Sequence, residues 1–280
     1  MNSNIAVKGT SKLIKCRRLT DGKFANAEVS VVVEREFLIH VNGQHLVTAS
    51  ITPAMKKEFA VGYLFGQGFI DDINELGSIK IEDNIARVEL KKQGEIPERL
   101  ENTGYRIVSG GGKAVYFEKA ALPEIKTRFK IAKSKIFEAM NTLYEKSRIY
   151  VETEGIHAAG LFDPEAAPIC IAEDIGRHNT LDKIIGYALI NKVDCHNAFL
   201  VSTGRMASEM VTKICRAGIP VAATKTAVTD AGLEIGGKCG LTVIGFVRDT
   251  GNKINTDMET RTIKQAGMKI YTNAERIIDG

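Results

Sequence analysis

A chain of 280 residues with 44% hydrophobic and 26% charged residues can bury a large core in one or two domains, and its net charge of +4 is mild. The lysines are scattered rather than blocked, which argues against a nucleic-acid partner, and no window of about 20 apolar residues offers a membrane span. The five cysteines (Cys16, Cys170, Cys195, Cys215 and Cys239) are odd in number, dispersed and without a C-x-x-C pair, which excludes a disulfide framework or zinc knuckle and points to reduced thiols in a cytoplasmic protein.

The first stretch, MNSNIAVKGTSKLIKCRRL, holds no apolar run of a secretion signal. AEVSVVV and FLIHV are β-rich, and Asn42-Gly43 in VNGQHLV marks a hairpin. TPAMKKEFAVGYLFGQGFI predicts a helix capped by Thr52, with Pro53 in its first turn and Phe59, Leu64 and Phe65 on its apolar side. SIKIEDNIARVELKK returns to two strands joined at Asp83-Asn84. The unit is a small α+β domain, assigned to residues 1–107, followed by a linker at 108–130.

Residues 131–280 have another rhythm. KSKIFEAMNTLYEKSRIY predicts one amphipathic helix with Ile136, Phe137, Met140, Leu143 and Tyr144 inward. Short strands follow in IHAAGLFD and APICIAED, separated by Asp163-Pro164. Helix RHNTLDKIIGYALINK, strand AFLVST, helix ASEMVTKICRAG, strand PVAATKT, helix TDAGLEIGGKCG and strand LTVIGFV then alternate. That alternation predicts an α/β domain, a largely parallel sheet with helices on both faces. A polar segment at 249–266 reads as a loop or insertion, and GMKIYT as a last strand.

Two motifs fail on inspection. Gly110, Gly111, Gly112 and Lys113 lack the earlier glycine and the following Ser or Thr of a phosphate-binding loop, and Gly232, Gly237 and Lys238 fall inside a helix. The junctions AEDIGRHNTLDK and VSTGRMASEM are more informative, because each joins a strand end to a helix start. Ligands of open α/β sheets bind beyond the carboxyl ends of the strands, where free N–H groups face outward. Gly176, Arg177, His178 and Asn179 occupy one junction, and Ser202, Thr203, Gly204 and Arg205 the other. Together they suit an anionic, nucleotide-like ligand.

Plainer readings stand beside this one. Glu173 and Asp174 pair with Arg177 or cap the helix, Arg205 and Glu209 form an i,i+4 pair, and His178 is either a base or a capping group. His157 reads as structural, and Asp182 and Lys183 as partners of each other or of the loops.

EDIGRHNTLDK, STGRMASEMVTK with AGIPV, GLTVIGFV, MKIYTNAERI and HVNGQHLVTASITPAMKKEFAVGYLFGQGFI together resemble the formate dehydrogenase accessory family, FdhD/NarQ, over most of the chain. The resemblance implies a cytidine-deaminase-like C-terminal domain behind a smaller N-terminal one. Deaminase chemistry is excluded, because His178-Asn179-Thr180 and Gly204-Arg205-Met206 leave one possible ligand where zinc needs three, so no zinc is expected. It further implies a maturation factor that takes persulfide sulfur from a cysteine desulfurase and passes it to the molybdenum bis(molybdopterin guanine dinucleotide) cofactor of a formate dehydrogenase apoenzyme, with guanosine diphosphate (GDP) as a ligand analogue and a homodimer as the assembly.

This sequence departs from the family where sulfur is carried. The C-G-x-C segment aligns with GGGK, so Gly110 and Lys113 stand at the cysteine positions and no catalytic residue remains there. The alternative is a cofactor chaperone or a nucleotide-binding interaction protein without sulfurtransferase activity. A third reading keeps sulfur transfer on another cysteine, Cys16 or Cys195 being the more exposed candidates. By resemblance the cofactor contacts are the two junctions and the segment Phe246, Val247, Arg248, Asp249, Thr250 and Gly251, into which this chain inserts about fifteen polar residues before its last strand.

Overall fold

The computed structural model describes residues 9–91, 105–107, 113–115, 122–248 and 266–279. It opens with an antiparallel ribbon, β1 (Ser11–Thr20) and β2 (Lys23–Val32), closed by Asp21 and Gly22 at φ 50° and 75°. Positive φ at both central positions gives the turn whose twist matches paired strands. The sequence pattern marks only β2, because the charged run of β1 shows no apolar alternation.

Strands β3 (Arg35–Val41), β4 (Gln44–Ile51), β5 (Leu76–Glu82) and β6 (Ile85–Leu90) form a sheet of order β4-β3-β6-β5. The turns at Asn42-Gly43 and Asp83-Asn84 fall where the sequence places them. Phe37, Ile39 and Val41 alternate into the core, as the period of two requires. Helix α1 spans Lys56–Gly66 and begins later than the Thr52 cap predicts, with Met55 at its N-cap. Thr52 is engaged elsewhere: its N–H donates to Asp174 Oδ2 (3.0 Å), its Oγ1 accepts from Ile175 N–H (3.2 Å), and its carbonyl accepts from Lys183 Nζ (3.0 Å).

Strands β7 (Tyr105–Ile107) and β8 (Lys113–Val115) pair antiparallel, with Ile107 opposite Lys113. Lys113 thus starts a strand, while Gly110 lies outside the described residues. Strand β9 (Ile131–Ala132) precedes α2 (Lys133–Lys146) and α3 (Arg148–Thr153), two helices where the sequence suggests one. The break is at Ser147, whose hydroxyl turns back to the Leu143 carbonyl at 2.5 Å and competes with continued helix hydrogen bonding.

The main sheet contains β10 (His157–Phe162), β11 (Pro168–Asp174), β12 (Phe199–Ser202), β13 (Val221–Thr224), β14 (Thr242–Arg248) and β15 (Gly267–Ile270), in the order β11-β10-β12-β13-β14-β15. Only the β12–β13 and β13–β14 pairings are parallel. The sheet is therefore mixed, which corrects the expectation of a largely parallel one. The reason is connection length: a five-residue turn around Asp163-Pro164 can join only antiparallel neighbours, whereas β12, β13 and β14 are linked through α5 (Ser208–Arg216) and α6 (Asp230–Lys238). A last short strand, β16 (Ile277–Ile278), runs parallel to β9.

Both faces of the sheet are buried. Leu200, Ala222 and Val243 join one apolar cluster with α4 (Arg177–Ile190), α5 and the N-terminal sheet, while Phe199, Val201, Val221 and Ile244 join a second cluster with α2. Continuous apolar strands are what two covered faces demand. The first cluster runs from Phe37 through α1 into α4 and β12. Helices α1 and α4 cross at two glycines: an added Cβ would stand 1.8 Å from the Asp182 carbonyl at Gly62 and 1.8 Å from the Glu58 carbonyl at Gly186. The backbones touch there.

Candidate anion-binding site

The carboxyl ends of β11, β12, β13 and β14 and the start of β10 meet along one edge. Helix α4 begins there at Gly176, with no side-chain cap on its first N–H groups. The loops after β12 and β13 are stitched together below it. Gly204 N–H donates to Ser202 Oγ (3.0 Å), Thr224 Oγ1 donates to the Gly204 carbonyl (2.7 Å), and Lys225 N–H donates to the Ser202 carbonyl (3.1 Å). An added Cβ on Gly204 would stand 2.8 Å from the Arg177 Cβ. Glycine at this position lets the first arginine lie directly against the second junction.

The edge is crowded with positive charge. Arg177 is pushed below the usual guanidinium range, first by burial and then by Arg205, with Glu209 opposing. His157 is lowered by burial, then by Arg177 and Arg205. His178 is lowered to about 3 by burial, then by Lys213, Arg177 and His157, and its Nε2 is buried without a hydrogen-bond partner. It is therefore a neutral imidazole at neutral pH. Lys225 is lowered by burial and by Arg248, and its ammonium lies 4.9 Å from the Tyr144 ring. Arg248 and Lys269 flank the Phe246 ring at 5.8 Å and 4.8 Å. Cations gathered this closely, several half-buried, form a site that favours an anion.

Phe246 sits at φ 56°, in the left-handed region that side chains rarely adopt, within a bulge of β14. The bulge resets the alternation, so Ile244 and Val247, three residues apart, both enter the α2-side cluster. Val247 is a core residue, and Arg248 is the member of that segment left at the edge with Phe246. Asp249, Thr250 and Gly251 lie outside the described residues.

Several predicted residues have other employment. Asn179 donates to the Ser50 carbonyl and to Asp174 Oδ1, both at 2.8 Å, and so ties the two sheets together. Ser202 is fully buried and supports Gly204 from beneath. Asp174 pairs with Lys183 (2.6 Å) and accepts from the N–H of Gly176, the N-cap of α4 (2.9 Å), so the capping half of the plainer reading holds for it, while Glu173 accepts from Tyr150 N–H (2.7 Å) instead. Asp182 and Lys183 do not pair with each other, since Asp182 reaches Lys213 at 2.6 Å. No ion pair joins Arg205 to Glu209 among the described residues. His157, read as structural, stands in the cationic group, and Lys225 and Lys269 carried no sequence signal; the place of Lys225 one residue past a parallel strand could have suggested it.

The thiols lie away from this edge. Helices α5 and α6 run back against their strands, so Cys215 and Cys239 at their last turns, and Cys195 ahead of β12, fall at the strands' amino ends. Burial pushes Cys170 up to about 12 and Cys195 up to about 11, and raises Cys215 as well. Cys16 is on the β1–β2 ribbon, half-buried.

Known proteins bear on this geometry. The family model described as FdhD/NarQ matches residues 32–278. The chain is 30% identical over 269 residues to the sulfur carrier protein FdhD of Staphylococcus aureus, covering 94% of each. It is 33% identical over 230 residues to the protein of the same name from Saccharolobus solfataricus, covering 81% of each. A solved chain described as a formate dehydrogenase accessory protein from Desulfotalea psychrophila superposes with TM-score 0.74 over 96% of this chain and 100% of that one, at 23% identity, a likeness of fold. The chain belongs to the FdhD/NarQ family.

Proposed function

We propose that this protein serves the maturation of a formate dehydrogenase in the cytoplasm by holding the molybdenum bis(molybdopterin guanine dinucleotide) cofactor, with its C-terminal part acting as a cytidine-deaminase-like scaffold. The observation that carries the reading is the concentration of Arg177, Arg205, His157, Lys225 and Arg248 at one sheet edge, where Arg177, His157 and Lys225 are each depressed by burial and by a neighbouring cation. The residues fit a ligand that brings phosphates: the guanidinium forks of Arg177 and Arg205, the N-terminus of α4 with glycine at its N-cap, and the buried His178 Nε2 are groups that phosphate oxygens can meet. The bound cofactor would supply the metal chemistry. The chain's own part is to neutralise phosphate charge at Arg177 and Arg205, to donate from His178, and to present the cofactor to an apoenzyme.

Sulfur transfer on the linker is absent from this reading. Glycine and lysine cannot carry a persulfide, and the thiols raised by burial are poorer nucleophiles than a free cysteine. The relatives are named sulfur carriers, so a relative carrying the C-G-x-C pair is the control. The test has two arms. Protein isolated from cells that make the cofactor should release guanine dinucleotide on extraction, and R177A with R205A should not. Incubated with cysteine and a desulfurase, the protein should gain no sulfur in intact mass while a C-G-x-C relative does. A persulfide mapped to one cysteine here would replace the chaperone reading with sulfur transfer from a new position.

A further inference from the structure

Five of the nine exposed large hydrophobic side chains among the described residues lie on the β1–β2 ribbon. Leu13 is 69%, Phe24 63% and Leu19 58% exposed. Leu19 stands directly opposite Phe24, and Leu13 shares their face because it lies an even number of residues along β1. Ile14 and Val31 are exposed on the opposite face. Scattered apolar residues are normal on a protein surface, but such a concentration on one element marks contact with something else.

The ribbon is also charged and open. Residues 11–32 hold five cations (Lys12, Lys15, Arg17, Arg18 and Lys23) against Asp21 and Glu28, five minus two giving +3. All four charges of β1 are positive, and Arg17 stacks over Phe24 at 4.6 Å. Among the described residues neither outer edge of the ribbon has a strand partner. Its base is fixed, since Glu152 of α3 accepts from Ser11 Oγ (3.3 Å) and from Ser30 Oγ. A firmly rooted, open-edged, cationic strand is a template for strand addition.

We propose that the β1–β2 ribbon docks an acidic strand of a partner protein along the free edge of β1. The partner's backbone completes the ladder, its carboxylates meet Lys12, Lys15, Arg17 and Arg18, and its apolar side chains cover Leu13 and Leu19. A second copy of this chain suits the edge poorly, because β1 against β1 brings like charges together. A lipid surface suits it poorly as well, because the exposed apolar groups are divided between two opposite faces. The proposal goes beyond the cofactor reading and stands apart from it.

The test uses the full chain and a fluorescein-labelled octapeptide, Val-Glu-Glu-Thr-Glu-Thr-Val-Glu, which in antiparallel register sets Val against Leu13 and Leu19 and Glu against Lys12, Lys15, Arg17 and Arg18, followed by anisotropy. Saturable binding is expected, weakened by added salt and at least about tenfold by K15E with R17E. The ribbon contributes no side chain to either core cluster, so the same variant should keep its thermal midpoint and its affinity for GDP. No binding, equal binding of the same peptide with every Glu replaced by Lys, or binding indifferent to K15E with R17E overturns the proposal. So does a concentration-dependent mass that collapses in L13S with L19S and F24S, which makes a second copy the occupant. Vesicles of anionic phospholipid that bind the parent and not this triple variant overturn it as well.

Discussion

Gly62→Ala is the sharpest structural test of the way the N-terminal unit is joined to the rest. The new Cβ would lie 1.8 Å from the Asp182 carbonyl oxygen, 2.6 Å from its carbon and 2.8 Å from the Gly186 nitrogen, all backbone atoms of α4 that cannot rotate away. Restoring an ordinary contact requires α1 and α4 to part by about 1.5 Å over the length on which Phe59, Tyr63 and Leu64 are packed. Parting them also stretches the Thr52–Asp174–Lys183 network, which is fully buried. Overpacking with a strained buried polar network sums to roughly 3–5 kcal/mol, or a fall of about 6–15 °C in thermal midpoint for a chain of this size. The control is Gly237→Ala on the exposed side of α6, where the new Cβ meets only Thr272 Cγ2 at 3.7 Å. It should stabilise by up to about 1 kcal/mol. Differential scanning calorimetry reads both. A midpoint for Gly62→Ala within about 2 °C of the parent would refute the backbone contact.

Other consequences follow from the buried charges. Lys213→Met strands Asp182, whose carboxyl burial pushes up and Lys213 holds down, and should cost about 3–5 kcal/mol in urea unfolding. Adding Asp182→Leu should recover most of that loss, and failure to recover would mean the pair is needed for more than charge balance. His178 has a folded pKa near 3 against an unfolded value near 6.5, so its contribution is full above about pH 6.5 and is lost as pH falls towards 3. His178→Asn should therefore flatten the decline of the urea midpoint over that window, and an unchanged slope would count against a buried neutral imidazole. Finally, G110C with K113C restores the family's thiol spacing and should let a desulfurase place sulfur on the protein, detected by intact mass; no gain would show that more than the two cysteines has been lost.

Much of the architecture was legible because it rests on local rules. Period-two apolar strands, the Asn42-Gly43 turn and the alternation from α4 to β14 all lie where the pattern puts them. What the pattern missed was decided by partners distant in sequence. Thr52 does not cap α1 because its Oγ1, the atom a cap would use, accepts from the N–H of Ile175, over a hundred residues away. Asp182 and Lys183 are neighbours in sequence, yet they serve Lys213 and Asp174 on different sides of α4. His157 looked structural because nothing local shows that an antiparallel β10 begins where β11 and β12 end. Strand–helix alternation, true of β12 to β14, predicts more parallel pairing than the sheet has because it says nothing about the hairpin before it or the strand after it.

The most direct test of the central claim is titration calorimetry with GDP and with guanosine, on the parent and on R177A with R205A. The cationic edge predicts saturable binding of the diphosphate, much weaker binding of the nucleoside, and loss of that difference when both arginines are removed, each charge-assisted bond being worth about 1.5–3 kcal/mol. Equal affinity for diphosphate and nucleoside, or a parent that binds neither, would contradict it.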